Sequence, residues 1–552
     1  MNFYYRLFLI LGMLSLCACS DFLNRKPLDV ISDDSFWQTE SDARAFLDYS
    51  YYSDYYSPWW EEIYLEAGSD NAYLPYPWEG NAIRDFTIGV HNSITDFSAN
   101  YWTYRTIRDS HVFLEKVHEV PGLSEETVDT FSGEAHFFIA MKYWQMYRYH
   151  GQVPLIDQVF VNPEDYNIGS AAPEVLKAYI EDQIQMAIDL LPAERNDGRV
   201  SKGAAQMIFA EYLMWEERYA EAAAVTKQII DSGIYALAPN YEDLFHSSTQ
   251  QGAKQEIIMW REYLTGTSGD WDNFLNYLLL PNGINSGWSS VTPTHDFVET
   301  YEAIDGSYPY TTSSLYTEYT KEQIEADDDY LSKDVWNYQI RDPRLKMSIM
   351  FQGDYFGNYL YDPLDMDNPG GNKILTNNCT RTGYNLKKYA DLDRDNWACD
   401  VNWIVYRYAE TLFLFAEATN EVSGPTAEAI SAINQVRTRA GMPEITAEYI
   451  SSKEAFREFL RREKRVEFIG EAKRFWDTWR WGKNKLGDPA NWMENTLQKD
   501  VYTVPYKDEE GVYEPKLVRE RRKGSLGDRN YVMPLPQGAL DRSSNLNQHP
   551  NW

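Results

Sequence analysis

Two adjacent helical segments in residues 201–233 restrict the fold more than any other feature of the chain. They read SKGAAQMIFAEYLMWEERYAEAAAVTKQIIDSG, and their apolar residues recur at helical spacing on both sides of a short turn. Ala210 and Ala222 fall where the two helices must approach closely. Helix pairs of this kind bury their apolar faces by stacking on one another, so the segment predicts several such pairs in the chain.

A related pair occupies residues 408–441, which read YAETLFLFAEATNEVSGPTAEAISAINQVRTRAG. Ala416 and Ala429 take the places of the small residues in the first pair, and a Gly-Pro dipeptide makes the turn. The spacing resembles that of a tetratricopeptide unit. Helical periodicity also predicts helices over residues 101–117, 134–151 and 172–192.

Residues 454–483 are predicted to form one long helix crowded with charge, EAFREFLRREKRVEFIGEAKRFWDTWRWGK. The four-residue spacing predicts that Glu458 pairs with Arg462 and that Lys473 pairs with Asp477. A basic cluster of this kind can bind an anion. The neighbouring acidic residues favour an internal ion-pair network instead.

Aromatic residues are abundant: 42 Tyr, 24 Phe and 18 Trp make up 15% of the chain. Many lie beside turn-forming residues, as in YYSDYYSPWW at 51–60 and NAYLPYPWEG at 71–80, and residues 241–402 are also rich in turn formers. Long loops inside a compact protein are usually functional. Exposed rings with polar neighbours suit carbohydrate, because the apolar face of a sugar packs on the ring. The alternative is that the rings pack the loops onto the core.

Near the start of the chain, the basic residue Arg6 is followed by a short apolar segment, LFLILGMLSL. About 20 apolar residues are needed to span a bilayer, so this segment has the length of a secretory signal rather than of a membrane helix. The letters LCAC, which end at Cys19, resemble a bacterial lipobox. They predict a signal peptide over residues 1–18, acylation of Cys19 and a polar tether over 19–35. The alternative is a plain signal peptide with incidental cysteines.

The formal net charge of −33 argues against several classes of binding partner. It argues against nucleic acid, whose phosphates need a basic face, and against a polyanionic polysaccharide unless a local arginine or lysine patch offsets the field.

Motifs for a nucleophilic serine, a zinc protease or a phosphate-binding loop are absent from the sequence. With 84 acidic residues, a carboxylate pair is weak evidence for a glycosidase. We therefore predict a protein that is not an enzyme and that needs no cofactor and no metal.

Two local features leave alternatives open. Cys379 and Cys399 either form a disulfide or remain free thiols, because their spacing favours neither outcome. The segment DLDRDNWACDVN, at 391–402, begins like a calcium loop. It has Asn396 and Asn402 where glycine and glutamate are needed, so a solvated acidic loop is favoured.

Motifs spread over nearly the whole chain are similar to those of the SusD/RagB family of outer-membrane lipoproteins. CSDFL follows the acylated cysteine, and WTYRTIRDSHVFLEKV and GEAHFFIAMKYWQMYRYHGQVPLI resemble two of the family's helices. RYAETLFLFAEATNE, INQVRTRAGMP, LRREKRVEFIGEAKRFWDTWRWG and MPLPQGALDRSSNLNQHPNW match the family's C-terminal half. His111 and His136 replace the family's usual Asn and Arg, and we expect them to alter packing only.

The resemblance implies a mainly all-α fold in which tetratricopeptide-like helix pairs pack against a loop-rich, ligand-binding half. It implies one domain over residues 36–552, with halves at about 36–240 and 241–552. It also implies a lipid-anchored outer-membrane protein, facing the cell exterior, that captures oligosaccharide or polysaccharide for a SusC-like TonB-dependent transporter. Capture of peptide or glycoprotein by the same fold is the alternative, and a surface glycosidase is less favoured.

Loop context, together with the family's use of aromatic platforms, selects the candidate ligand-binding residues. They are Trp78, Tyr73, Tyr76, Trp288, Trp59 and Trp60 for stacking on sugar rings, and Asp70, Asn71 and Asn285 for hydrogen bonds to sugar hydroxyls. Nothing in the sequence fixes the sugar, its linkage or its chain length.

Overall fold

The structure, a computed structural model, describes residues 36–51, 59–76, 78–195, 197–264, 273–364, 373–395, 399–484, 497, 499–520 and 526–552. It does not describe the side chains of residues 59–61, 81, 163 and 528. The predicted signal peptide, Cys19 and the predicted tether lie outside the described residues.

Helices account for most of the regular structure. In chain order they are α1 (Glu40–Ser50), α2 (Trp59–Tyr64), α3 (Asn81–Thr87), α4 (Arg105–Lys116), α5 (Glu125–His150), α6 (Pro173–Leu190), α7 (Lys202–Trp215), α8 (Tyr219–Ser232), α9 (Leu275–Leu279), α10 (His295–Val298), α11 (Lys321–Glu325), α12 (Arg344–Ser348), α13 (Tyr408–Ser423), α14 (Ala427–Arg439), α15 (Lys453–Glu467), α16 (Lys473–Lys483) and α17 (Gln537–Leu540). Over the described ranges, no helix combines the length and the apolar character needed to cross a membrane.

Local sequence explains where these helices begin and end. α5 begins after Ser124, whose hydroxyl accepts a hydrogen bond from the Thr127 amide, and it ends at Gly151, where φ is 67°. α6 begins with Pro173, at a position where no intrahelical N–H is needed. The three predicted single helices are confirmed as α4, α5 and α6, although α5 begins earlier than predicted, at Glu125.

The paired helices stack in succession. α5 packs against α4 and α6, α7 packs against α6 and α8, and α13 packs against α8, α14 and α15. The two predicted pairs are α7–α8 and α13–α14, and they stack directly on each other although residues 233–407 separate them in sequence. The small residues that predicted close helix approach are fully buried; they are Ala210, Ala222, Ala416 and Ala429. The prediction of a mainly all-α fold with stacked helix pairs is confirmed.

The two histidines that replace the family's usual Asn and Arg contact a neighbouring helix, as expected. His111 Nε2 on α4 lies 3.1 Å from Tyr179 Oη on α6. His136 Nδ1 on α5 lies 2.8 Å from Gln183 Oε1, also on α6. Both histidines therefore join neighbouring helices of the stack.

The remainder of the chain is rich in loops, and its strands are short. They are β1 (Ala72–Tyr73), β2 (Ile257–Arg261), β3 (Thr292–Pro293), β4 (Ile349–Met350), β5 (Tyr355–Phe356), β6 (Tyr359–Leu360), β7 (Asn385–Leu386), β8 (Trp403–Arg407), β9 (Val501–Tyr502), β10 (Tyr506–Lys507), β11 (Tyr513–Glu514) and β12 (Leu517–Arg519). They form antiparallel two-stranded sheets, with β1 paired to β3, β2 to β8, β4 to β7, β5 to β6, β9 to β12 and β10 to β11. The predicted loop-rich middle of the chain is confirmed.

The charged segment at 454–483 forms two helices, so the prediction of a single helix is wrong. α15 ends at Glu467 and α16 begins at Lys473. Between them, Gly470 and Ala472 have φ angles of 78° and 60°. Residues in the left-handed region cannot continue a right-handed helix, so the chain turns at this point.

The two predicted local ion pairs are also wrong, because both cations pair with acids from other elements and both acids pair with different cations. Arg462 pairs with Glu302 at 2.8 Å, while Glu458 pairs with Arg461 instead. Lys473 pairs with Glu410 at 2.7 Å. The carboxylate of Asp477 accepts hydrogen bonds from Lys464 and Arg480. Burial brings these side chains within reach of acids from other elements, which four-residue spacing does not reveal.

The predicted internal ion-pair network is confirmed, with Arg407 at its centre. Guanidinium nitrogens of Arg407 lie 2.8 Å from carboxylate oxygens of Glu256, Glu467 and Glu471. Arg344 binds Glu467 from another direction at 3.0 Å. All five side chains are at most 1% exposed, so water cannot replace a missing partner.

Acid is expected to weaken this network, and Glu467 provides the test. Burial alone would raise the pKa of Glu467, but Arg439, Arg407 and Arg344 outweigh it and hold that pKa well below its ordinary value. A carboxyl with a lowered folded-state pKa stabilises the fold above about pH 4.5 and loses that contribution as the pH falls. We expect the stability difference between wild type and Glu467→Gln, measured by urea unfolding, to shrink below about pH 4.5. A difference that stays constant from neutral to acidic pH would contradict this.

Candidate functional site

Pairing of β1 with β3 brings the two predicted binding segments side by side. Tyr73 lies opposite Thr292, and the Thr292 hydroxyl donates a hydrogen bond to the Tyr73 carbonyl at 3.2 Å. Next to this pair, the Thr294 amide donates to the Asn71 carbonyl at 2.8 Å. Residues 70–76 and 292–294 therefore lie side by side, although about two hundred residues separate them in the sequence.

A stack of two rings is the most exposed aromatic feature of this region. Trp78 lies on Tyr76 with ring centroids 5.2 Å apart and an interplanar angle of 19°, and Trp78 is 64% exposed. Tyr76 itself is buried, and its hydroxyl donates to the Cys379 carbonyl at 3.2 Å and accepts from the Cys379 amide at 3.0 Å. Tyr76 is thus the fixed base on which the Trp78 ring lies, rather than a ring open to a ligand.

The second predicted tryptophan lies on a tight loop over residues 281–289. The Trp288 ring packs on Tyr277 with centroids 4.8 Å apart, and its amide donates to the Tyr277 carbonyl at 2.7 Å. Trp288 is half-buried, whereas Asn285 is exposed and has a φ of 51°. The Asn282 amide donates to the Asn378 carbonyl at 3.1 Å, which ties this loop to the segment that anchors Tyr76.

Asp70 and Asn71 are structural residues, which corrects their prediction as hydrogen-bonding partners of a ligand. Asp70 is 7% exposed, and its carboxylate lies 2.9 Å from Arg474 and 3.2 Å from Arg465. Burial opposes ionisation of Asp70, but the two arginines outweigh it and hold its pKa well below the ordinary value. Asn71 is fully buried and binds Glu66 and Arg465. Both residues fasten the first loop to α15 and α16.

The remaining predicted residues are placed less centrally. Tyr73 is half-buried, and the Arg519 guanidinium lies 4.9 Å from its ring centroid. Trp59 and Trp60 begin α2, but their side chains lie outside what the structure describes.

Three neighbours of the ring stack are absent from the sequence-based set. The Arg381 guanidinium lies 5.6 Å from the Tyr76 ring centroid, and its Nη1 donates to the Leu375 carbonyl at 2.7 Å. Glu79 follows Trp78 and lies beside Ser290, and burial raises the pKa of its carboxyl. Tyr277 supports Trp288. The only local signal for Arg381 was its place in the turn-rich letters NNCTRTG, and Tyr277 lies in NYLLL, which reads as core.

The two open features of the sequence have structural answers. Cys379 and Cys399 are buried and are not joined by a disulfide, and burial raises the pKa of Cys399 to about 12. The Asp391 carboxylate accepts from the Ser247 amide and hydroxyl, and Asp400 pairs with Arg394 at 2.6 Å. These contacts anchor Asp391 and Asp400, while Asp393 and Asp395 are exposed, so the described part of 391–402 is an anchored turn that is solvated in part. Within the described chain, no three or more His, Cys, Asp or Glu side chains come together as metal ligands.

A cavity of about 270 Å³ elsewhere in the molecule has both of its arginines, Arg195 and Arg199, already paired with the buried Glu134. It is lined in part by Arg199, Lys254 and Trp260. Arg199 binds the buried Glu134, and the Trp260 indole donates to Glu262 at 3.0 Å. The ring stack is therefore the stronger candidate for a ligand site.

Comparison with known proteins identifies the family. Residues 255–552 match the family model described as SusD family. The chain belongs to the SusD family. Residues 26–212 match a second model, described as starch-binding and associating with the outer membrane. The family predicted from the motifs is confirmed. The match also supports the prediction of a SusD-like carbohydrate-binding protein that is associated with the outer membrane.

Individual SusD-like proteins match over most of their length. The SusD-like protein P38 of Formosa agariphila is 25% identical over 501 residues, which cover 86% of this chain and 90% of that protein. A crystal structure of a SusD-like protein from Bacteroides fragilis NCTC 9343 matches with a TM-score of 0.78 and 25% identity, over 96% of this chain and 100% of that one. A laminarin-binding SusD-like protein matches with a TM-score of 0.67 and 21% identity, over 94% of this chain and 100% of that one, which shows a shared fold.

Proposed function

We propose that this SusD-family protein captures oligosaccharide or polysaccharide on the loop surface that carries Trp78 and Trp288. The observation that carries the proposal is the Trp78 ring, which is 64% exposed and lies flat on a buried tyrosine. A large exposed ring held in a fixed orientation is typical of a binding surface. Two proteins of the same fold support the choice of ligand, since one is described as laminarin-binding and another as surface glycan-binding protein A from Bacteroides uniformis.

The arrangement binds a polymer without breaking bonds in it. A sugar ring stacks its apolar face on Trp78, and a second ring is within the reach of the neighbouring loop that carries Trp288. Asn285 and Glu79 offer polar groups for sugar hydroxyls beside these rings. Because the site needs no nucleophile or general acid, we propose a binding protein rather than an enzyme.

Attachment and delivery complete the proposed function. Acylation of Cys19 after removal of residues 1–18 would hold the protein on the outer membrane, and several acyl chains anchor more stably than one. The ligand would then pass to a SusC-like TonB-dependent transporter. Cell-surface exposure and this transporter partner are parts of the proposal supported by the family assignment.

Trp78→Ala is expected to weaken binding of the cognate glycan about tenfold, because stacking on one aromatic anchor supplies much of the energy of a small site. The measurement is retention of the purified protein in native gels that contain soluble polysaccharides, followed by calorimetry on the one that retains it. Trp288→Ala is expected to weaken binding less, because that ring is half-buried on Tyr277.

Tyr49→Ala is the matched control, since Tyr49 is 46% exposed but lies on α1, away from the paired loops. Its retention should equal that of wild type. Unchanged retention of Trp78→Ala would remove that ring from the site. Binding of peptides but of no glycan would favour the alternative nutrient, and release of reducing sugar by the pure protein would contradict a purely binding role.

A further inference from the structure

Two arginines lie against tyrosine rings of the candidate site, and a third lies near one of them. The Arg381 guanidinium lies 5.6 Å from the Tyr76 ring centroid, and that of Arg519 lies 4.9 Å from the Tyr73 ring centroid. Burial, opposed by Tyr73, lowers the pKa of Arg519, and the nearby charge of Arg84 lowers it further. We call Arg84, Arg381 and Arg519 the arginine cluster.

The arginine cluster lacks acidic partners in the part of the chain that the structure describes. No carboxylate oxygen there lies within 4.0 Å of a guanidinium nitrogen of these three residues. The Nε atoms of Arg381 and Arg519 are buried, and neither has a hydrogen-bond partner among the described residues. Elsewhere in the chain, buried arginines such as Arg344 and Arg407 each bind several carboxylates.

Nearby acids do not cancel this positive charge. Glu79 lies beside Ser290 and forms no ion pair with an arginine of the cluster among the described residues. Glu520 follows Arg519 in sequence but is exposed and does not pair with it. Although the chain has 84 acidic and only 51 basic side chains, two arginines beside this exposed aromatic stack have no carboxylate partner among the described residues.

We propose that the glycan bound at this site is acidic, with carboxylate or sulfate groups that bind Arg381 and Arg519 while its sugar rings lie on Trp78. Planar guanidinium groups match the two oxygens of such anions, and charge-assisted hydrogen bonds of this kind are stronger than neutral ones. The anion would pair with guanidinium groups that no carboxylate of the described chain binds. This inference rests on the proposed function, because it names the class of glycan for the same site.

Matched glycan pairs test the inference with the unaltered protein. The probes are a polyuronate and its carboxyl-reduced form, a sulfated galactan and its desulfated form, and a neutral glucan. We expect one acidic member to bind about tenfold more tightly than its neutral counterpart, with an affinity that falls as salt is added. The preferred pair distinguishes a carboxylate from a sulfate.

The outcomes separate this inference from the proposed function. Equal binding of the acidic and neutral members, or binding of the neutral glucan alone, would overturn the inference and leave glycan capture standing. If no glycan in a broad panel binds, the proposed function fails and the inference fails with it.

Two variants examine the arginines directly. Arg381→Gln and Arg519→Gln should each weaken binding of the acidic glycan about tenfold and leave any binding of its neutral counterpart nearly unchanged. Arg105→Gln is the matched control, because Arg105 also stacks on a tyrosine, Tyr49, at 5.8 Å but lies on α4. Unfolding curves of all three should coincide with wild type; equal loss of acidic and neutral binding would contradict the inference.

Discussion

Replacement of Arg407 by methionine is expected to lower the free energy of unfolding by about 3–5 kcal/mol. The arginine is 1% exposed and touches Glu256, Glu467 and Glu471, so its removal leaves three buried carboxylates short of a positive partner. Methionine is flexible and unbranched and fills the space of the arginine's aliphatic stem, so lost charge rather than lost volume dominates the effect. Urea unfolding followed by tryptophan fluorescence measures it.

Arg218→Met is the control for this loss. Arg218 also contacts two carboxylates, those of Glu181 and Glu221, each at 2.6 Å, but its side chain is 34% exposed. Water can solvate the groups left behind, so the expected loss is about 1 kcal/mol or less. Equal losses in the two variants would show that burial does not determine how much the Arg407 ion pairs contribute to the free energy of unfolding.

Replacement of Gly287 by alanine is expected to displace the loop that carries Trp288 and to impair glycan binding. A Cβ at this position would lie 2.1 Å from the Leu280 carbonyl oxygen, which already accepts a hydrogen bond from the Ser289 amide at 3.0 Å. The backbone must move to relieve the contact, at a cost of about 1–3 kcal/mol. Since Trp288 is the next residue, its ring should shift on Tyr277, and the glycan affinity should fall, by no more than the loss expected for Trp288→Ala.

Gly252→Ala serves as the comparison for that variant. A Cβ at Gly252 would meet no atom within 4 Å, so this substitution should change neither stability nor binding appreciably. Calorimetry with the cognate glycan and a thermal melt give the two readouts. Full affinity in Gly287→Ala would mean that the position of Trp288 does not contribute to the site.

The helical half of the fold could be predicted from sequence because its determinants are local. Small residues such as Ala210 and Ala222 mark close helix contacts, and residues such as Pro173 and Gly151 mark helix ends. Each of these residues lies within one or two helical turns of the contact or helix end that it determines. The break between α15 and α16 had no such signal, because a single glycine inside a charged helical pattern is compatible with a continuous helix.

The candidate site could be predicted only in part, for a related reason. Rings beside turn-forming residues indicated Trp78 and Trp288 correctly as loop residues. Asp70 has the same kind of sequence context, yet it binds Arg465 and Arg474, which lie about four hundred residues later. Whether a polar loop residue faces solvent or an arginine depends on such distant partners. Arg381 was overlooked for the same reason, because the Tyr76 ring beside it is about three hundred residues away in the sequence.

The anchoring of Tyr76 has a consequence for the thermodynamics of ligand capture. Both backbone polar groups of Cys379 bind its phenol oxygen, and the indole of Trp78 already lies on its face. The platform is thus set in the bound arrangement before a ligand arrives, and little side-chain entropy is left to lose on association. Even a shallow binding site of this kind can bind a polysaccharide, because most of the conformational entropy lost on binding is lost by the sugar chain.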